Sequence, residues 1–224
     1  MLQRLRLTFS RGEELKYISH LDLMRLWQRA LRRAEIPLAY SQGFSPHPRL
    51  SLAAPLAIGV TSSGELMDVF LDHRVSPQYF FKSASQQLPQ GADISEVVEV
   101  GIGLPSLQSQ VQFADYEVSI TTDKGSGEVE DSIRSLLSRD SLPWEHVRDK
   151  EIRKYDLRSL IDGIRLLSWE PSMCCLGMRL RCDSKGTGRP EQVAAALGFQ
   201  DTPKSIHRTG LILAQPGKNV ARRR

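Results

Sequence analysis

The sequence predicts an α+β fold made of two ferredoxin-like (split β-α-β) domains in tandem. Three observations carry that expectation. Strand and helix patterns alternate as strand, helix, strand, helix, strand through residues 1–103; a Gly-, Pro-, Ser- and Gln-rich segment follows at 104–115; and the same order returns over 116–214. Residues 215–224, "PGKNVARRR" and its flank, read as a flexible basic tail.

The first strand is read from Leu2, Leu5, Leu7 and Phe9, which, apart from one irregularity at Gln3, alternate with Arg4, Arg6 and Thr8 as a half-buried strand does. Ser19-His20-Leu21-Asp22 then has the form of a helix start, with a hydroxyl to cap and a carboxylate in the first turn. In the helix that follows, Leu23, Leu26, Trp27, Ala30, Leu31 and Ala34 share one face. Arg25, Arg29, Arg32 and Arg33 take the other side, and Pro37 ends the helix. "GELMDVFLDH" alternates as a strand, Ser76-Pro77 opens a second helix that stops before Pro89 and Gly91, and "ISEVVEVGI" is a further strand.

In the second half "YEVSITT" is a strand and "SGEVEDSIRSLLSR" a helix with Val129, Ile133, Leu136 and Leu137 on one face. "WEHVRDKEIRKYDLR" reads as one strand running into a basic segment. "IDGIRLLSWE" and "CCLGMRLRC" are apolar strands, with a helical turn possible in "DLRSLIDGIRLL". "RPEQVAAALGF" is a short helix with Pro190 at its first position, and "SIHRTGLIL" closes the order as a strand.

Composition bounds the function. With 224 residues, 40% hydrophobic and 25% charged, the chain has the make-up of a globular protein, which excludes disordered and fibrous classes. It has no apolar run long enough to span a bilayer and no signal-peptide core, so the expectation is a cytoplasmic protein without a membrane partner. The three cysteines, Cys174, Cys175 and Cys182, are odd in number and lie on one apolar segment. On a strand, neighbouring Cys174 and Cys175 face opposite ways, so neither a disulfide framework nor a metal site is expected, and no cofactor is. The net charge of +4 suits an anionic partner where the positive side chains cluster.

They cluster on the first helix. Arg25, Arg29 and Arg33 recur every four residues, with Arg32 alongside, and such a row is spaced to meet successive phosphates. The stretch "YSQGFSPHPRLSLAAPLAIGVTSSGE" comes next. Gly43 permits unusual backbone angles, Phe44 is a large ring among polar residues, and Pro46 and Pro48 hold His47 extended beside Arg49. Imidazole, guanidinium and ring displayed together suit stacking on bases and binding of phosphate; a loop anchored by a buried Phe44 is the plainer alternative. His20 and His47 are candidates for metal-independent acid–base cleavage of RNA. Further on, Arg148, Lys150, Arg153, Lys154 and Arg158 make a basic run broken by acids. "KGTGRPEQV" puts Arg189 where a helix opens, and Arg208 lies in the last strand between His207 and Thr209. Arg158, Arg189 and Arg208 thus join the candidate nucleic-acid contacts.

Through "YISHLDLMRLWQRALRRAEIPLAYSQGFSPHPRLSLAAPLAIGVTSSGELMDV" the chain resembles a bacterial family known as radical-SAM-associated domains. The likeness rests on Ser19-His20-Leu21-Asp22, Arg29 with Arg32-Arg33, Gln42-Gly43-Phe44, Pro46-His47-Pro48, Pro55-Leu56, Gly59, Glu65 and Asp68. Tyr155-Asp156-Leu157-Arg158, Gly186-Thr187 with Arg189-Pro190, and His207-Arg208-Thr209 extend it, "GTGRP" having one glycine more than the family's "GTRP". The resemblance implies association with a radical S-adenosylmethionine protein and with RNA processing. The sequence has no Cys-x3-Cys-x2-Cys motif, so a partner would hold the cluster for such chemistry.

The expectation is an RNA-binding accessory module acting with an RNA-modifying or RNA-processing enzyme, or with the ribosome, on transfer or ribosomal RNA. The alternatives are a metal-independent ribonuclease and a module that docks a radical enzyme without touching nucleic acid.

Overall fold

A computed structural model describes residues 2–148 and 151–214, except the side chains of residues 147, 148 and 151. The basic tail and Lys150 lie outside the described residues, as does the side chain of Arg148. The fold is α+β. Two compact units divide it, one from Met1–Ile58, Gly64–Gln112 and the described residues from Leu211 onward, the other from Gly59–Ser63 and Phe113–Gly210.

The first unit runs β1 (Gln3–Arg11), α1 (His20–Arg33), β2 (Leu50–Leu52), β3 (Thr61–Leu71), α2 (Pro77–Ser85), β4 (Ile94–Val100) and α3 (Leu107–Gln110). Its strands are ordered β2-β3-β1-β4. β1 and β4 pair antiparallel from Arg4↔Val100 to Phe9↔Ile94, and β2 pairs antiparallel with β3 through Leu50↔Val69. Leu5, Leu7 and Phe9 face the core, where Trp27, Leu31, Met67, Val69 and Phe80 meet them. The Trp27 ring stands edge-on to Phe9, centroids 4.9 Å apart.

The other face of β1 corrects the simple alternation. Arg4 is only 3% exposed, because Asp68 on β3 accepts from its Nε at 2.8 Å while the carbonyls of Leu104 and Pro105 take Nη1 and Nη2 at 2.8 and 2.9 Å. Residues read as linker therefore cover this face: Pro105 accepts from Arg4, and Leu107 of α3 is buried. The stretch read as loop also holds β2.

The second unit runs β5 (Val111–Thr121), α4 (Ser126–Leu137), β6 (Pro143–Arg148), β7 (Glu151–Asp156), β8 (Ile161–Glu170), β9 (Met173–Asp183), β10 (Gly186–Thr187), α5 (Pro190–Ala196) and β11 (Ser205–Leu213). β9 lies between β8 and β5, antiparallel to both, and β11 follows β5. The helical turn expected before β8 is a 3-10 turn at Arg158–Leu160. "WEHVRDKEIRKYDLR" is two strands rather than one: β6 and β7 pair antiparallel with Trp144 opposite Tyr155 and His146 opposite Arg153. Among the described residues nine strands belong to one mixed sheet and β6 and β7 to a separate ribbon. The parallel component is β11 against the start of β3, at His207↔Thr61 and Arg208↔Ser62, all within the second unit.

No helix among the described residues is long and apolar enough to cross a membrane. Cys174 and Cys182 are buried and Cys175 half-buried, all three as free thiols.

Candidate nucleic-acid interface

Helix α1 starts where the sequence places it. The Ser19 hydroxyl accepts from the Asp22 amide at 3.1 Å and donates to the Asp22 carboxylate at 2.8 Å. That hydrogen bond, helped by Arg25 and Arg29, holds the Asp22 carboxyl below the usual carboxylate range. The helix ends at Arg33, and Glu35, with φ of 54°, turns the chain away.

Arg25, Arg29, Arg32 and Arg33 all stand on the exposed side of α1. Their partners differ. Arg25 pairs with Asp22 at 3.2 Å, Arg33 donates to the Gln87 carbonyl at 2.8 Å, and Arg32 lies 5.9 Å from the Tyr40 ring. Arg29 has no hydrogen-bond or ion-pair partner among the described residues, which leaves its full donor set for a ligand.

Tyr40 carries the row into the loop. Residues 41–47 are closed at the base by the Tyr40↔Pro48 bridge and by the Ser41 amide on the His47 carbonyl at 2.9 Å. The His47 amide returns a bond to the Ser41 hydroxyl at 3.1 Å. At the tip Gly43 has φ of 120°, in the region that favours glycine, and Phe44 is fully exposed at 110%. Phe44 is therefore no core anchor. Arg49 is exposed and rests 4.4 Å from the Phe70 ring, which also has Arg4 at 5.4 Å. His20 and His47 are both exposed, and no hydrogen bond among the described residues joins them.

Sequence reasoning missed Arg11. It is buried and donates to the carbonyls of Leu15, Lys16, Ile18 and Leu56, binding the approach to α1 to the loop before β3. Tyr17, Leu21 and Ile58, next to those anchor points, are exposed. A strand-end Arg gives no sign in sequence that it will satisfy four carbonyls.

In the second unit the fold takes up two candidates. Arg208 is 1% exposed, inside the β3–β11 ladder. Arg158 spends its guanidinium on the carbonyls of Ile161, at 2.7 Å, and of Leu137, at 3.1 and 3.3 Å, closing the end of α4. Arg189 is half-buried, with Nη1 3.4 Å from Nε2 of His146.

His207 sits between two hydroxyls, Thr61 Oγ1 at 2.8 Å from Nδ1 and Ser63 Oγ at 3.1 Å from Nε2. A hydroxyl, an imidazole and an orienting group in line is the arrangement of an activated nucleophile. Here the donors close a different circuit. With the ring proton on Nε2, Thr61 donates to Nδ1, His207 donates to Ser63, and Ser63 donates to the Thr209 carbonyl at 3.4 Å. The chain staples the β3–β11 pair. Among the described residues no group of three or more His, Cys, Asp or Glu is placed to hold a metal ion.

The model of a family described as an uncharacterised protein conserved in bacteria, DUF2344, matches residues 4–190. No curated protein matches the sequence. Among solved structures, a chain of a Cbf5-Nop10-Gar1 complex is similar with a TM-score of 0.50 at 8% identity, over 93% of this chain and 48% of its own. A chain of the archaeal box H/ACA sRNP Nop10-Cbf5 complex gives 0.47 at 9% identity, over 94% and 48%. An H/ACA RNP bound to a substrate RNA containing 2'-deoxyuridine gives 0.46 at 10%, over 92% and 46%. This chain spans about half the length of these three chains. At these identities the likeness is one of fold.

Proposed function

We propose that this chain, which belongs to the DUF2344 family of bacterial proteins, is an RNA-binding accessory module acting in the cytoplasm beside an RNA-modifying or RNA-processing enzyme. One observation carries the reading. Four exposed arginines on α1 run, through the Arg32–Tyr40 contact, into a loop that holds the Phe44 ring wholly in solvent. Guanidinium groups take phosphates along a strand while an exposed ring accepts an unpaired base, which favours single-stranded or looped RNA over duplex. Arg25, Arg29, Arg32, Arg33 and Arg49 would meet phosphate, Phe44 would stack, and His47 would donate or accept at a base edge. The strand orders of the two units, each with its first strand between the third and fourth of its repeat, support reading them as ferredoxin-like domains in tandem. The fold shared with a component of a multi-protein complex supports an accessory part.

The test is a fluorescence-anisotropy titration with total transfer RNA, a single-stranded oligoribonucleotide and an RNA duplex. Phe44→Ala should weaken the single strand and leave the duplex unchanged, and Arg29→Ala with Arg33→Ala should weaken both. Equal loss on both ligands from Phe44→Ala would remove stacking, and no binding in any arm would remove the RNA reading.

A second reading has its own observation. Tyr17, Leu21 and Ile58 are apolar and exposed around the Arg11 anchor, as a protein-docking patch would be. It would seat the radical S-adenosylmethionine partner that the sequence resemblance implies. Co-purification of that partner after nuclease treatment, lost on Tyr17→Ser with Leu21→Ser, would favour it.

A further inference from the structure

The ribbon of the second unit faces a cleft of about 290 Å3 that the surface described above does not use. Register puts Trp144, His146, Arg153 and Tyr155 on one face of the ribbon, because Trp144 opposes Tyr155 and His146 opposes Arg153. His146, Arg153 and Tyr155 line the cleft together with Lys185, Arg189 and Gln192. The wall between them is closely backed, by a Leu160 methyl that can shift at Gly186 and by a Cβ and a backbone carbonyl that cannot at Gly188. A Cβ at Gly186 would come within 2.7 Å of Leu160 Cδ2, and one at Gly188 within 2.9 Å of Leu180 Cβ and 3.0 Å of the Leu160 carbonyl. The additional glycine of "GTGRP" is thus a steric requirement of this wall.

The electrostatics are one-sided. Arg153, Lys185 and Arg189 supply three cations, and Asp156 is the single carboxylate among the lining residues described. Asp156 is already engaged, its Oδ1 accepting from the amides of Leu142 at 2.7 Å and Arg158 at 3.0 Å. The lining also holds an unspent polar group. Gln192 is 7% exposed, its Oε1 accepts from the Tyr155 hydroxyl at 2.6 Å, and its amide nitrogen has no hydrogen-bond partner among the described residues. The Gln192 amide nitrogen, two guanidinium groups and an ammonium line one cleft and offer their donors to acceptor oxygens there.

We infer that this cleft binds a phosphate monoester of about the size of one nucleotide. Its surplus of two positive charges matches a phosphate dianion, and the fork geometry of Arg153 and Arg189 suits phosphate oxygens. Its volume is at the small end of ligand sites, about 300–1,000 Å3, so it admits a single nucleotide and not a folded strand. The phosphate can come from a free nucleoside monophosphate or from the 5'-phosphorylated end of an RNA. The inference stands apart from the α1 surface.

The experiment follows Trp144 fluorescence in the full chain with Trp27 and Trp169 left in place as a constant background. Ligands are adenosine 5'-monophosphate, adenosine, and an octaribonucleotide with and without a 5'-phosphate. Lys185→Ala and Arg189→Gln are the variants, and Arg29→Ala with Arg33→Ala is the control. The phosphorylated member of at least one pair should bind about tenfold or more tightly than its unphosphorylated partner, the worth of one charged hydrogen bond. Each cleft variant should lose about that factor, and the α1 variant should bind the monophosphate as the wild type does. Preference for the monophosphate identifies a small-molecule source, and preference confined to the oligonucleotide identifies a strand end. Equal binding of phosphorylated and unphosphorylated ligands, no binding by either pair, or an unaffected Lys185→Ala protein would overturn the inference. Lys185 is exposed, so that variant tests it even if Arg189→Gln folds poorly.

Discussion

Replacing Asp68 by Ala should unfasten the first unit. The Asp68 carboxylate is 0% exposed and holds Arg4, 3% exposed, and Arg6, 12% exposed. Arg4 Nε and Arg6 Nε each donate to it at 2.8 Å. Removing the carboxylate strands positive charge in the interior, a loss of about 3–5 kcal/mol against a typical domain stability of about 5–15 kcal/mol. With a urea dependence of about 2 kcal/mol per molar, the midpoint should fall by roughly 2 M. The assay is urea unfolding followed at Trp27, in a protein whose Trp144 and Trp169 are Phe, so that the signal reports the core of the first unit. Arg6 has a route to water, whereas Arg4 is tied to the carbonyls of Leu104 and Pro105, so Arg4→Ala should cost more than Arg6→Ala. A combined Arg4→Met, Arg6→Leu, Asp68→Leu protein should regain most of the loss, because no charge is left to bury. A fall of less than about 1 kcal/mol for Asp68→Ala would refute the reasoning, since it would mean that both guanidinium groups reach solvent.

Four further outcomes are expected. Each phosphate contact to a single strand contributes about 0.7 to the slope of log affinity against log salt, so Arg29→Ala should flatten that slope by about 0.7 while Arg29→Lys leaves it unchanged. Filter binding at four salt concentrations measures it, and an unchanged slope in Arg29→Ala would take Arg29 off the interface. Burial pushes the Cys174 thiol above its ordinary range, so iodoacetamide should modify half-buried Cys175 first, as peptide mass analysis will show. The folded thiol holds its proton at a pH where the unfolded one has lost it; this stabilisation is whole below the ordinary thiol range and fades as pH rises through the raised value. Cys174→Val should accordingly show a smaller drop in urea midpoint between neutral and alkaline pH than the wild type. Gly188→Ala should cost about 1–3 kcal/mol through overpacking against Leu180 and Leu160, read as a lowered urea midpoint.

The periodic parts of this fold are legible in the sequence because they depend on neighbours. The Ser19 and Ser76 caps, the apolar face of α1 and the apolar face of β1 all appear where local chemistry puts them. What covers a polar face is decided far along the chain. Arg4 reads as exposed until Leu104 and Pro105 are seen upon it, and Arg208 reads as a phosphate contact until its strand is found inside a ladder. The same distinction sorts the motifs. Tyr155-Asp156-Leu157-Arg158 looks like a functional signature, yet the fold consumes most of it: Asp156 takes two amides, Leu157 is core, and Arg158 satisfies the carbonyls of Leu137 and Ile161. Phe44 is the opposite case. Its ring has no packing to lose, and a Cβ added to Gly43 would meet nothing within 4 Å, although the backbone there still favours glycine. An apolar ring held in water by a closed loop contributes nothing to the core, so Phe44→Ala should leave the urea midpoint unchanged whatever it does to the proposed RNA contact.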